Sequence, residues 1–141
     1  MGSYLIDSNA ISHYLSGKLS AVATDFMNGL VDEGAVISVI TQIELLGFNA
    51  PKADAILFRD FVNDSRVIEL TEPIVFQTIA LRKSRSIKVP DAIIAATALV
   101  HELTLLTNNT KDFSNIPALY KVLKFSLKVE FQNLKFFRFR R

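Results

Sequence analysis

The stretch Pro90-Asp91-Ala92-Ile93-Ile94-Ala95-Ala96-Thr97-Ala98, running on through Leu105-Leu106-Thr107 to Asn108, Asn109 and Asp112, decides the fold. Pro90 and Asp91 open a helix, since proline suits a first turn and an acid suits a helix N-terminus. Residues 92–102 continue it, dense in Ala and Ile. The run 103–107 reads as a strand, and polar residues follow at once. The same alternation recurs outward from this stretch. Tyr4-Leu5-Ile6 is a short buried strand ending at Asp7, with Ser8 or Asn9 as N-cap of a helix through Ile11, Tyr14 and Leu15 that Gly17 closes. Leu19, Val22, Phe26 and Leu30 share one face of a second helix, stopped by Gly34. Residues 35–38 form a strand and 42–46 a helix ended by Gly47. Pro51 starts a helix with Ile56, Leu57, Phe61 and Val62 as its apolar positions. Residues 67–70 are a strand, and Thr71-Glu72-Pro73 begins a helix running toward Ser84. A last strand of the series falls at 120–123. Strands alternating with helices imply parallel pairing in an α/β fold of about five strands, whose sites lie beyond the carboxyl ends of the strands. Phe26, Phe58, Phe61 and Phe76 stand at helical spacing and are expected in the core.

Composition narrows the chemistry. A chain of 141 residues, 50% of them hydrophobic, suits one domain with a sizeable core. No apolar run is long enough for a membrane span, and no secretion signal is apparent, so a cytoplasmic location is expected. The absence of Cys excludes disulfides, thiolate metal sites and cysteine nucleophiles. The two histidines, His13 and His101, lie too far apart in sequence to suggest a multi-histidine site and read as surface or helix-end residues. The net charge of +2 is uneven. Residues 121–141 hold seven basic residues and one acid and carry +6, so residues 1–120 carry −4.

Four acids fall where an α/β site belongs. Asp7 follows the first strand, Glu44 lies on the helix after the second, Asp91 opens the helix leading into the fourth, and Asp112 lies in the loop after the fourth. Oxygen donors without His or Cys form a hard site suited to Mg²⁺ or Mn²⁺, and a divalent cation would relieve their mutual repulsion. Each acid also has a plain structural reading. Asp7 could cap a strand end, Glu44 could complete a capping box with Thr41, Asp91 could favour the helix dipole, and Asp112 could belong to a turn.

The segments Leu5-Ile6-Asp7-Ser8-Asn9, Ile37-Ser38-Val39-Ile40-Thr41-Gln42-Ile43-Glu44, Pro90-Asp91-Ala92-Ile93-Ile94-Ala95-Ala96 and Leu105-Leu106-Thr107-Asn108-Asn109-Thr110-Lys111-Asp112-Phe113 resemble, in order and spacing, those of PIN-domain proteins, and of VapC-type toxins in particular. The resemblance spans about residues 3–123. It implies a PIN-like, Rossmann-like parallel sheet flanked by helices. It also implies a Mg²⁺- or Mn²⁺-dependent endoribonuclease, the toxin of a type II toxin–antitoxin pair, inhibited by a cognate VapB-like antitoxin and forming a homodimer. By the same resemblance Asp7 and Asp91 are central metal ligands, and Glu44 completes the first site or positions the water that attacks the phosphodiester in line. Asp112 is an outer or second-metal ligand, and Asn9 and Asn109 orient the carboxylates. Transfer RNA is a common target class in the family. A non-catalytic PIN-like RNA-binding module is the alternative.

Arg82, Lys83, Arg85 and Lys88 cluster just before Asp91. Arg82 and Arg85 are the expected RNA contacts, against the plainer reading of a solvated helix C-terminus. The family pattern ends near residue 123, which divides the chain into a nuclease domain, 1–123, and a basic, aromatic extension, 124–141. Alternation of Phe125, Leu127, Val129 and Phe131 with polar residues, a turn at Gln132-Asn133 and a return over 134–140 suggest a β-hairpin.

Overall fold

Short runs rich in Leu, Ile and Val form the parallel strands, and a polar residue ends or directly follows each of them. A computed structural model describes residues 4–113, 116, 121–124 and 136–138. Among these the order is β1 (Tyr4–Ile6), α1 (Ser8–Leu15), α2 (Ala21–Glu33), β2 (Val36–Ser38), α3 (Val39–Gly47), α4 (Lys52–Asn63), β3 (Arg66–Ile68), α5 (Glu72–Ser84), α6 (Val89–Val100), β4 (Thr104–Thr107), α7 (Thr110–Phe113), β5 (Lys121–Lys124) and β6 (Phe136–Arg138). The expected α/β architecture with parallel pairing is present. β1 pairs with β4, Leu5 opposite Leu105 and Ile6 opposite Leu106, and β4 pairs with β5. β2 and β3 form a second parallel ladder, Ile37 opposite Val67, and β2 packs beside β1.

Alternation along the strands divides the core in two. Leu5, Val36 and Leu105 face one layer with Ile74, Leu81, Ile94, Phe113 and Ile116, built on α5, α6 and α7. Ile6, Ile37 and Leu106 face the other, with Ile11, Met27, Phe58 and Phe61 from α1, α2 and α4. Strands buried on both faces must be apolar at consecutive positions, which is why these runs are continuous rather than alternating. Small residues on α6 (Ala92, Ala95, Ala96) let it press against α5. Its buried Thr97 hydroxyl donates to the Ile93 carbonyl at 2.7 Å, so no polar group is stranded there. No helix among the described residues is long and apolar enough to cross a membrane.

The chain leaves β1 toward β2 and β3, then returns to the other side of β1 at β4. The strand order therefore reverses between β1 and β4, and a crevice opens beyond their carboxyl ends. Asp7 follows β1 and Thr107 ends β4, so both stand at that crevice.

Several local expectations change. Asp7 itself, in place of Ser8 or Asn9, is the N-cap of α1. α3 starts at Val39, ahead of residue 42, because the Ser38 hydroxyl caps it by accepting from Ile40 N at 3.1 Å. Thr41 and Glu44 therefore form no capping box, and Thr41 is buried inside the helix. Asp112 lies in the short helix α7 rather than a loop. Phe58 and Phe61 are core residues as expected, and Phe26 packs edge-on against Tyr4 with ring centroids 5.3 Å apart. Phe76, however, is 62% exposed, because α5 turns its Ile74, Thr78 and Leu81 face inward and leaves Phe76 on the opposite side. β6 pairs antiparallel with β5, Leu123 opposite Phe136. Residues 125–135 of the expected hairpin lie outside the described residues.

Gly34 ends α2 with φ 99° and ψ 99°, a conformation that disfavours any residue with a Cβ. A Cβ built there meets nothing within 4 Å, so backbone strain alone sets the cost. Gly34→Ala is expected to destabilise the fold by about 1–2 kcal/mol, read as a lower urea midpoint at unchanged slope.

Candidate active site

The site is built around Asp7, which is 5% exposed. Its backbone N–H donates to the Leu106 carbonyl at 2.9 Å, extending the β1–β4 ladder by one bond. Its side chain then does two jobs. Oδ1 accepts from Ser8 N at 2.8 Å, capping α1, and Oδ2 accepts from the Thr107 hydroxyl at 2.7 Å. Burial raises the Asp7 pKa above its ordinary value, while the bonds from Thr107 and Ser8 pull it back. Asn9 ties the two strand tips together. Its Nδ2 lies 3.4 Å from Asp7 Oδ2, and its Oδ1 accepts from Asn108 N at 3.0 Å. Asn109 N donates to the Thr107 hydroxyl at 3.0 Å. The Asn108 amide meets His13 Nδ1 at 2.6 Å, so His13 is a half-buried brace of this corner rather than a plain surface residue.

The other acids approach from three helices. Glu44 projects from α3 and is raised by partial burial, then by the charges of Asp7 and Asp91, against a lowering bond with Ser8. Asp91, in the first turn of α6, is raised by partial burial and by Asp7 and Asp112, while Lys88 lowers it. Asp112 is exposed on α7 and accepts from Asn109 Nδ2 at 2.7 Å. The structure thus brings Asp7, Glu44 and Asp91 within electrostatic reach of one another and puts Asp112 at the edge, beside Asp91.

Among the described residues no three acids or histidines form a ready-made metal cage. The donor set still fits a hard cation. All the donors are carboxylates, they repel one another, and Mg²⁺ commonly binds through one or two carboxylates while keeping several waters. Two cavities border the acids. One, of about 240 Å³, lies beside Glu44 and is lined by Leu45, Phe48 and Phe58 together with Ser8, Asn9 and Ser12. The other, of about 620 Å³, is lined by Arg82, Arg85, Ser86, Ile87, Lys88, Lys111 and Asp112. Arg82 is partly committed, since its Nη1 donates to the Ile87 carbonyl, and Arg85 Nε donates to the Ser84 hydroxyl at 3.2 Å. The sequence reading passed over Thr107 and Lys111. The signal for Thr107 was its position as the polar last residue of an apolar strand. Lys111 gave no signal, since its place depends on where α7 packs.

These features define an α/β protein with an acid-lined crevice at its switch point. The model of the PIN domain family matches residues 4–119, and the chain belongs to that family. Comparison with curated proteins finds no match. Among solved structures, a toxin–antitoxin complex from Klebsiella pneumoniae contains a chain 32% identical, with TM-score 0.67, covering 85% of this chain and 95% of that one. VapBC2 from Rickettsia felis, bound to a promoter DNA fragment, shares the fold at 21% identity and TM-score 0.71 over 87% and 98% of the two chains. DNA-bound VapBC from Salmonella typhimurium does so at 22% and 0.70 over 84% and 96%. The fold is that of a VapC-type PIN protein.

The raised carboxylates make a prediction with a definite sign. A carboxyl whose pKa rises on folding adds no penalty below its unfolded value and its full penalty above its folded one. Ionised acids here therefore lower stability as pH rises through the raised values. Without divalent cations, Glu44→Gln is expected to melt about 1–3 °C above the parent at neutral pH, a small gain because Glu44 is half in solvent. The gap should close as pH falls below the ordinary glutamate value of 4.5. Added Mg²⁺ should stabilise the parent more than the variant, as followed by thermal melts.

Proposed function

We propose that this chain is a Mg²⁺- or Mn²⁺-dependent endoribonuclease, the toxin of a type II toxin–antitoxin pair, acting in the cytoplasm and held inactive by a VapB-like antitoxin. The observation that carries this reading is the meeting of Asp7, Glu44 and Asp91, with Asp112 at their edge, at the switch point of a PIN fold. Asp7 and Asp91 would hold the ion, Glu44 would complete that site or position water, and Asp112 would act as the outer ligand. A cation bound there supplies Lewis acidity, lowering the pKa of a coordinated water and offsetting charge on the phosphodiester.

The chain's own residues supply orientation. Ser8 N–H donates to Asp7 Oδ1 and the Thr107 hydroxyl to Oδ2, which locks the Asp7 rotamer and leaves Oδ1 a further lone pair. Asn9 and Asn109 hold Asp7 and Asp112 in the same way. The crevice is open, and RNA single strands or loops are the class that can be splayed into it, the exposed loops of transfer RNA included.

Two partners are part of the proposal. The Klebsiella pneumoniae relative comes from a toxin–antitoxin complex. Large apolar side chains stand exposed on α3 (Ile43, Leu46), just after it (Phe48) and on α5 (Phe76, Ile79). An antitoxin and a second copy of the chain would cover them. Residues 1–123 would form the nuclease unit and 124–141 its basic extension, which contributes β6 to the sheet edge.

Incubation with a total RNA pool tests the reading. Cleavage is expected with Mg²⁺ or Mn²⁺, lost in EDTA, and reduced at least about 100-fold in Asp7→Asn. Cleavage that persists in EDTA sinks the proposal. Asn9→Ala should bind Mn²⁺ about 10–100-fold more weakly by titration calorimetry, since it loosens a ligand without removing one.

A further inference from the structure

The larger of the two cavities is cationic and opens beside the acids. Its floor is the connection from α5 to α6. That connection is fastened at Ile87, whose side chain is buried in the core and whose carbonyl accepts from Arg82 Nη1. Arg85 and Lys88 flank the fastened residue, and Lys111 approaches from α7 on the far side. The cavity shares Asp112 with the acidic group, and Lys88 also acts on Asp91, so the two sites adjoin. At about 620 Å³ it is large enough for a nucleotide unit. Among the described residues no aromatic side chain lines it, and Ile87 is the one apolar liner. Such a lining grips charge and does not stack a base.

We propose that this cavity seats the backbone phosphate next to the scissile one in single-stranded RNA, with Arg85, Lys88 and Lys111 as phosphate-binding residues and Arg82 as the positioning residue that holds their loop. The proposal rests on the nuclease reading above and sharpens it. Cleavage needs the scissile phosphate to stay beside four acids that repel it. A cationic seat one phosphate away anchors the strand without neutralising the acids themselves. Phosphate contacts of this kind fix register and carry no base preference.

The test pairs Arg85→Ala/Lys111→Ala with a control, Lys18→Ala/Lys52→Ala, which removes the same charge from α4 and the connection between α1 and α2. Lys88 is left in place because it faces Asp91. Binding of a fluorescent single-stranded RNA is followed by anisotropy across a salt series, in Mg²⁺ and in the Asp7→Asn background so that the RNA survives. The cavity variant is expected to lose up to about 0.7 from the slope of log K against log salt, the share of one phosphate contact, with the control unchanged. In the otherwise native chain KM should rise on the order of tenfold with kcat nearly constant, because the contact is made equally before and during reaction. Arg82→Lys should fall between parent and cavity variant, since an ammonium can replace one of its bonds. An unchanged slope overturns the cavity assignment, as does loss of antitoxin binding without loss of RNA binding. Either result leaves the nuclease reading standing if the parent chain still cleaves RNA. A parent chain that cleaves nothing with Mg²⁺ or Mn²⁺ removes that reading, while the anisotropy slope still decides the cavity.

Discussion

The buried carboxylate of Asp7 is the constraint on which the rest of this structure depends. A carboxylate placed between two apolar strands is expensive unless its oxygens are hydrogen-bonded. Here the bonds come from the first helical N–H of α1 and from the hydroxyl that ends β4. One side chain therefore starts a helix, joins two parallel strands and defines the floor of the crevice. Asn9 and Asn109 add bonds across the same corner, and His13 braces Asn108 from α1. Without this corner the β1–β4 ladder would still form from Leu5, Ile6, Leu105 and Leu106. The crevice at its end would not have a fixed shape.

The same corner concentrates negative charge. Glu44 and Asp91 are each raised by burial and by the charge of Asp7, so the folded chain holds them together against their preference. Perturbed carboxylates that face one another in a cleft favour a functional over a structural reading. The structural alternatives for single acids also weaken. Glu44 caps nothing, because Ser38 caps α3. Asp7 does cap a helix, but that task needs one oxygen, and the second is held by Thr107.

Much of this was legible in the sequence, for identifiable reasons. Apolar runs bounded by Gly, Pro and polar residues placed β1, β2, β4 and the intervening helices, because strands buried on both faces leave a strong local signal. The four acids stood out because each follows a strand or opens a helix. What escaped depends on packing across the chain. Thr107 acquires its role only when β4 lies parallel to β1, a contact between positions 100 residues apart. Phe76 has the spacing of a core residue, but α5 presents its other face to the sheet, and periodicity alone does not choose between faces of a helix apolar nearly all round. The early start of α3 follows from Ser38 serving both as strand end and as cap, a double use that local propensity does not separate.

The surroundings of the acids differ from one side to the other. Beside Glu44 lie Leu45, Phe48 and Phe58, and beside Asp112 lie Arg85, Lys88 and Lys111. A nucleic-acid strand presents a flat apolar face on its bases and charge on its phosphates, and these call for different surfaces. A crevice with an aromatic flank and a cationic flank is not symmetric toward such a strand. The charge imbalance of the chain follows the same logic in space. The −4 of residues 1–120 is a sum that includes both the acids and the cations beside them. Net charge thus says little about affinity for a polyanion here, because opposite charges are sorted into adjoining sites and each acts at short range under physiological screening.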